Sequence, residues 1–246
     1  MKTTHQVTLD IEGQTLDGTV LTPAKLTPGV LFIHGWGGSQ EQDLLRAEEI
    51  AQLGCVCFTF DLRGHARHDE DRNRVTRSDG LADVIAAYDF LVAQQAVDVS
   101  AIAVVGTSYG GYLATLLTAV RPVAWLALRV PALYPDADWE VPKALLDRGT
   151  IERYRNHFRS GHQDRALAAC ERFTGDVLIV ESEQDDYVPH ATISSFMAAF
   201  RRSRSLNYRV LKGADHALRD ETHRKKYNTL LINWIEEMVR EIRRAP

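Results

Sequence analysis

Gly106-Thr107-Ser108-Tyr109-Gly110 sets a serine between two glycines, each two residues away. A serine hydroxyl is a poor nucleophile until an imidazole accepts its proton, and that imidazole needs a carboxylate to fix its tautomer. Both partner types occur later in the chain, in Asp185-Asp186-Tyr187-Val188-Pro189 and in Lys212-Gly213-Ala214-Asp215-His216. Together they would perform two-step acyl transfer: Ser108 attacks a carbonyl while His216 takes its proton, and water then releases the acyl group. The pentapeptide alone is weak, because three fixed positions match by accident in roughly one chain in ten of this length. Its setting says more, since it lies where an apolar strand meets a helix rich in small residues. There, flanking glycines allow close approach and the helix N-terminus favours negative charge.

An oxyanion intermediate needs two preorganised donors, each worth ~3 kcal/mol. One is expected to be the backbone N–H of Tyr109. The glycine-rich stretch His34-Gly35-Trp36-Gly37-Gly38 is expected to supply the other through Trp36 N–H, while His34 reads as an anchor of that loop. Of the nine histidines, His5, His157, His162 and His223 stand in terminal or helical contexts. His190 opens a helix and is a weaker rival to His216. On chemistry alone Asp185 and Asp186 are equivalent.

The elements that must position these groups alternate between strand and helix patterns, which predicts an α/β fold with a mostly parallel sheet covered on both faces. Strands are expected at Gln6–Ile11 and Gln14–Leu21, a hairpin about the Glu12-Gly13 turn, then at Gly29–Ile33, Val56–Leu62, Ala101–Val105, Val123–Val130, Asp176–Val180 and Ser205–Leu211. Helical spacing marks Gln42–Leu53 and Gly110–Ala119. It also marks Leu81, Val84, Ile85, Tyr88, Leu91 and Val92, with Asp83 and Asp89 on the opposite side. A last helix carries the stripe Tyr227, Leu230, Leu231, Trp234, Ile235, Met238 and Ile242. Residues 131–174 break the rhythm and read as a small helical cap, with helices at Lys143–Phe158 and Asp164–Arg172, inserted in a single domain spanning 1–246. Ser108, the two aspartates and His216 then all fall beyond the carboxyl ends of parallel strands, where open α/β sheets bind ligands.

The 246 residues are 45% hydrophobic and 25% charged with net charge −4, ordinary globular usage without the cation clustering that nucleic acid requires. Arg240–Arg244 reads as a solvated helix end. Three cysteines without metal-ligand spacing, no signal-like leader and no apolar run of ~18 residues predict a protein without a membrane span, in the cytoplasm. Neither metal nor organic cofactor is expected, and the composition does not speak to oligomeric state.

Over nearly its whole length the chain resembles the α/β-hydrolase family. HGWGG is similar to its oxyanion loop, GTSYG to its nucleophile elbow, DLRGH at 61–65 to the loop after its fourth strand, QDDYVP to its D-x-x-V-P element and GADH to its histidine segment. The resemblance implies an eight-stranded sheet and a serine hydrolase acting on a small-molecule ester or lactone, and it selects Asp185 as the acid. One departure stands out: Ala66-Arg67-His68-Asp69 replaces the family's glycine and serine after Gly64-His65, which puts the site entrance in doubt. Asp61 and Arg63 then read as structural ties. The small cap is most similar to the dienelactone hydrolase and feruloyl esterase branches, and the lack of a preceding propeller is read against an oligopeptidase. Arg129, near the end of an apolar strand, is a candidate for holding a substrate carboxylate or for pairing with Asp136, Asp138 or Glu140. Tyr134 and Trp139 are candidates for lining the acyl or alcohol pocket from the cap, though aromatic packing would explain them as well.

Overall fold

In the computed structural model residues 3–11, 13–22, 27–160 and 164–244 are described. Glu12 of the expected hairpin turn, His162 and the rest of 161–163 in the expected cap, and the side chains of His5, Arg243 and Arg244 lie outside the described residues.

Eight strands form one sheet in the order β1-β2-β4-β3-β5-β6-β7-β8. β1 (Thr3–Ile11) and β2 (Gln14–Thr22) make the antiparallel hairpin, and β2 meets β4 (Val56–Phe60) antiparallel. From β4 onward every pairing is parallel, through β3 (Thr27–Ile33), β5 (Val97–Thr107), β6 (Trp125–Arg129), β7 (Asp176–Gln184) and β8 (Ser205–Asp215). Every residue of β4 and of β6 is buried. This is why they read as near-continuous apolar runs, broken only by Thr59 and Arg129, and not as alternating ones.

Alternation along the strands separates two cores. Ile102, Val104, Leu126 and Leu128 face one layer with α2 (Arg77–Val92) and α3 (Tyr109–Leu117). Ala101, Ala103, Val105, Trp125 and Ala127 face the other, with α1 (Glu41–Gln52) and α7 (Glu221–Arg244). On α7 the buried stripe is Tyr227, Leu231, Trp234, Ile235, Met238 and Val239, and the expected member Ile242 is 36% exposed near the helix end. Arg240 pairs there with Glu236 at 2.7 Å.

α2 begins earlier than its apolar spacing, because Thr76 and Asp79 form a reciprocal capping box that satisfies amides of the first turn. Its Asp83, expected on the face opposite the apolar one, is fully buried and bonded to Arg63 Nε at 2.6 Å. Between β6 and β7 the single expected helix at Lys143–Phe158 is divided. A 3-10 turn spans Lys143–Leu145, Leu146 is extended, and α4 (Arg148–Arg155) starts where the Asp147 carboxylate accepts from Thr150 N–H at 2.6 Å. A side-chain cap fixes a helix start, and so interrupts whatever precedes it. α5 (Arg165–Arg172) follows, capped by Asp164, and α6 (His190–Ala199) lies between β7 and β8. No helix among the described residues is long and apolar enough to cross a membrane.

Candidate active site

β5 ends at Thr107 and α3 begins at Tyr109, so Ser108 must reverse the chain in one residue. It does so at φ +54°, a left-handed conformation that costs a non-glycine residue of order 1–3 kcal/mol. Close packing holds it there. A Cβ on Gly106 would meet the Gly110 carbonyl oxygen at 2.5 Å, and one on Gly110 would overlap the carbonyl oxygens of Ile33 and His34. Backbone bonds complete the clamp: Ser108 N–H donates to Arg129 O at 2.9 Å and Ala132 N–H to Ser108 O at 2.9 Å. The other positive-φ residues that are not glycine include Val130 and Leu218, so backbone strain gathers in the loops that meet at this edge.

The structure brings Ser108, His216 and Asp185 together. Ser108 Oγ lies 3.0 Å from His216 Nε2, and His216 Nδ1 lies 2.7 Å from Asp185 Oδ2. Asp185 is orientated by its other oxygen, which accepts the N–H groups of Tyr187 and Val188, each at 2.8 Å. Its side chain is 2% exposed, whereas Asp186 is exposed. With the carboxylate at Nδ1, that nitrogen carries the proton and Nε2 is left as an acceptor facing the hydroxyl.

Tyr109 N–H opens α3 and Trp36 lies in the loop after β3; among the described residues neither amide is spent on a protein acceptor. His34 anchors that loop. Its Nδ1 proton goes to Gly35 O at 2.8 Å, its Nε2 accepts Leu62 N–H at 3.0 Å, and burial holds its pKa below the usual histidine value. Asp61 accepts Gln40 N–H at 2.7 Å. His65 is fully buried with its ring edge-on to Trp36 at 4.6 Å, and burial followed by the nearby His34 lowers its pKa to about 4. It is therefore neutral near pH 7, packing material beneath the loop. The departing segment after it forms a 3-10 turn over Ala66–Asp71, which Ala66 enters at φ +49°.

The remaining candidates stand elsewhere. Arg129 faces the α1/α7 layer and donates from Nη1 to the carbonyl of His216 at 2.8 Å, with its guanidinium 5.5 Å over the Tyr227 ring. Neither sequence reading described this: strand alternation turns it away from the cap, and Asp136 pairs with Arg165 instead. Tyr134 is buried, edge-on to Tyr109 at 5.9 Å and Tyr112 at 4.9 Å. The Trp139 ring is held between Arg77 at 5.7 Å and Arg165 at 4.6 Å. Tyr187, 62% exposed, sets its ring 5.0 Å from that of His216. Lys143 lays its ammonium 4.2 Å from the Trp36 ring centroid. Sequence reading assigned neither of these last two, because each contact joins separate loops.

The fold, with a sharp strand-to-helix turn at this edge of its sheet, is that of the α/β-hydrolases. A family model described as "Prolyl oligopeptidase family" matches residues 41–241, and the chain belongs to that family. That membership stands against the expectation that leaned away from the oligopeptidases. An uncharacterized protein of Mycobacterium tuberculosis is 29% identical over 191 residues, 77% of this chain. The chain spans 63% of that relative's length. Among solved structures, dienelactone hydrolase from Anabaena variabilis superposes with TM-score 0.70 at 19% identity, covering 96% of this chain and 98% of that one. Est1E from Butyrivibrio proteoclasticus gives TM-score 0.72 at 19% identity, covering 95% and 98%.

Proposed function

We propose that the protein hydrolyses a carboxylic ester or lactone of a small molecule through an acyl-enzyme intermediate on Ser108. His216 acts as base and then acid, and Asp185 holds the imidazole. Tyr109 and Trp36 amides receive the oxyanion. The observation carrying this reading is the continuous relay from Asp185 Oδ2 through His216 to Ser108 Oγ, at 2.7 and 3.0 Å. Side chains supply nucleophile and base and two backbone amides the oxyanion donors, so the reaction asks for no metal or organic cofactor. The chain beyond β6 enters the 131–174 cap of a single domain, and Tyr134 and Trp139 shape its underside. A cytoplasmic location belongs to the same proposal, supported by three buried cysteines of which none is in a disulfide.

The test is Ser108→Ala: turnover of short p-nitrophenyl esters is lost while the circular dichroism spectrum and melting midpoint stay. Retained turnover sinks the assignment. Family membership favours a second reading, cleavage of an amide on the same groups. Comparing p-nitroanilides with p-nitrophenyl esters of one acyl group decides between them, and adding an alcohol acceptor separates hydrolysis from transfer.

A further inference from the structure

Tyr134 is ringed by cations. Lys143 Nζ lies 5.2 Å from its centroid, the Arg155 guanidinium 4.6 Å and the Arg77 guanidinium 5.6 Å. Burial would raise the Tyr134 phenol, but Lys143 and Arg155 outweigh it and lower its pKa. Both arginines also bond backbone: Arg155 donates to the carbonyls of Leu133 and Tyr187, and Arg77 from Nη1 to that of Pro135. Nearby acids are committed elsewhere, Asp136 to Arg165 and Asp164 to Tyr154 and the first amides of α5. Burial, and then repulsion from Arg155 and Arg77, lower the Lys143 pKa against the pull of Tyr134. Lys143 forms no ion pair among the described residues, and a positive cluster without a carboxylate is costly in a low-dielectric setting.

The cluster borders the reacting serine. Lys143 covers Trp36 at 4.2 Å and lies 5.3 Å from the Tyr109 ring, the two residues whose amides are assigned to the oxyanion. Tyr134 follows closely on Ala132, whose amide bonds the Ser108 carbonyl. Arg77 and Arg155 are buried, whereas Lys143 is only half-buried, so of the three residues it stands nearest to solvent. Its backbone is pinned by a 2.8 Å bond from its N–H to Val75 O, which sets the charge in place before any ligand arrives.

We propose that Lys143 is a specificity-determining residue that receives an anionic group, a carboxylate, carried by the substrate of Ser108. This rests on the acyl-transfer reading above and adds the charge of the substrate to it. An ammonium backed by two arginines and facing no protein acid offers a charge-assisted bond to an anion and none to its neutral isostere.

Two ester pairs test it: mono-p-nitrophenyl adipate against p-nitrophenyl hexanoate, and 4-carboxyphenyl against 4-carbamoylphenyl hexanoate. The first puts the anion on the acyl side and the second on the leaving side. In one pair the native enzyme prefers the anionic ester roughly tenfold in kcat/KM. Lys143→Met brings that ratio to parity, Lys143→Arg retains it, and salt weakens it. Ratios in both pairs that are the same in native enzyme and Lys143→Met overturn the proposal, even with neutral esters turned over through Ser108. A readout independent of turnover is calorimetric binding of monomethyl adipate to Ser108→Ala with and without Lys143→Met. Weaker binding in the double variant supports the site even if no ester is cleaved, which would count against the acyl-transfer reading alone; equal binding removes the site.

Discussion

Two serines of this chain face a histidine backed by a carboxylate. Ser108 Oγ is 3.0 Å from His216 Nε2, with Asp185 2.7 Å beyond. Ser194 Oγ is likewise 3.0 Å from His190 Nε2, with Glu181 3.0 Å from Nδ1, and Glu181 also accepts from the Tyr208 hydroxyl. By distance the two sets are nearly interchangeable, so their difference must come from what surrounds them. Ser108 sits at φ +54° ahead of a helix, where amides with no helical partner point at it. Ser194 lies inside α6, one turn from His190 in the same helix, where the neighbouring amides already bond to carbonyls behind them. The His216 side chain is 21% exposed and that of His190 66%. The comparison teaches that a hydrogen-bonded serine, histidine and acid make a relay. On the proposed function, activity further requires a strained backbone and unspent donors where the oxyanion would form.

The largest effect should come from breaking the first set at its nucleophile. Ser108→Ala is expected to lower kcat by ~10⁴ or more, measured as initial rates on p-nitrophenyl acetate at unchanged melting midpoint. Asp185→Asn should cost roughly a thousandfold, because an amide in that position can present N–H to Nδ1 and favour the wrong tautomer. Steady-state kinetics across pH would register that loss. The matching change in the second set, Glu181→Gln, should leave kcat in place. If Glu181→Gln matched Asp185→Asn, the two sets would be functionally linked and the contrast drawn above would collapse.

Arg129→Met sharpens the comparison at an intermediate scale. Arg129 Nη1 holds the His216 carbonyl at 2.8 Å, whereas His190 has only its helix behind it. Losing a hydrogen bond to a charged group costs about 1.5–3 kcal/mol, so kcat should fall roughly ten- to a hundredfold while KM stays within about twofold. Arg129 touches the backbone of His216 and none of the proposed reacting atoms, so the substitution tests a positioning role. A rise in KM with unchanged kcat would instead return it to substrate binding.

Much of this was legible in the chain because it depends on local order. Strand ends can be read from apolar runs, and groups that follow strand ends in a parallel sheet must share an edge, which puts Ser108, the Asp185-Asp186 pair and His216 together; only the family resemblance chose Asp185 between the two. The unread parts depend on pairings between distant segments. Asp83 looked like a solvated helix residue because its partner, Arg63, sits on another loop twenty residues earlier. Arg129 could be placed on its strand, but not on a face, until the register with β5 and β7 fixed the alternation. Lys143 belonged to an expected helix that the Asp147 cap divides, and its approach to Trp36 depends on that division. The capping box of Thr76 and Asp79 was open to reading, since a threonine followed three residues later by an acid marks a helix start.

The smallest expected effect is that of Ser194→Ala. The hydroxyl it removes serves only the surface contact with His190, whose ring keeps its bond to Glu181. Alanine is the better helix former by a few tenths of a kcal/mol, so the melting midpoint should hold or rise slightly. Exposed substitutions away from special features stay within about 0.5 kcal/mol, which bounds any change in kcat/KM at about twofold. A fluorophosphonate reagent offers the stricter measurement, because it reacts with an activated serine whatever the natural substrate is. In the native chain it should mark Ser108 and leave Ser194 untouched, and in Ser108→Ala it should mark neither. Labelling of Ser194 in that variant would mean that hydrogen-bond distance alone suffices for activation, and that the backbone strain and free amides around Ser108 are incidental.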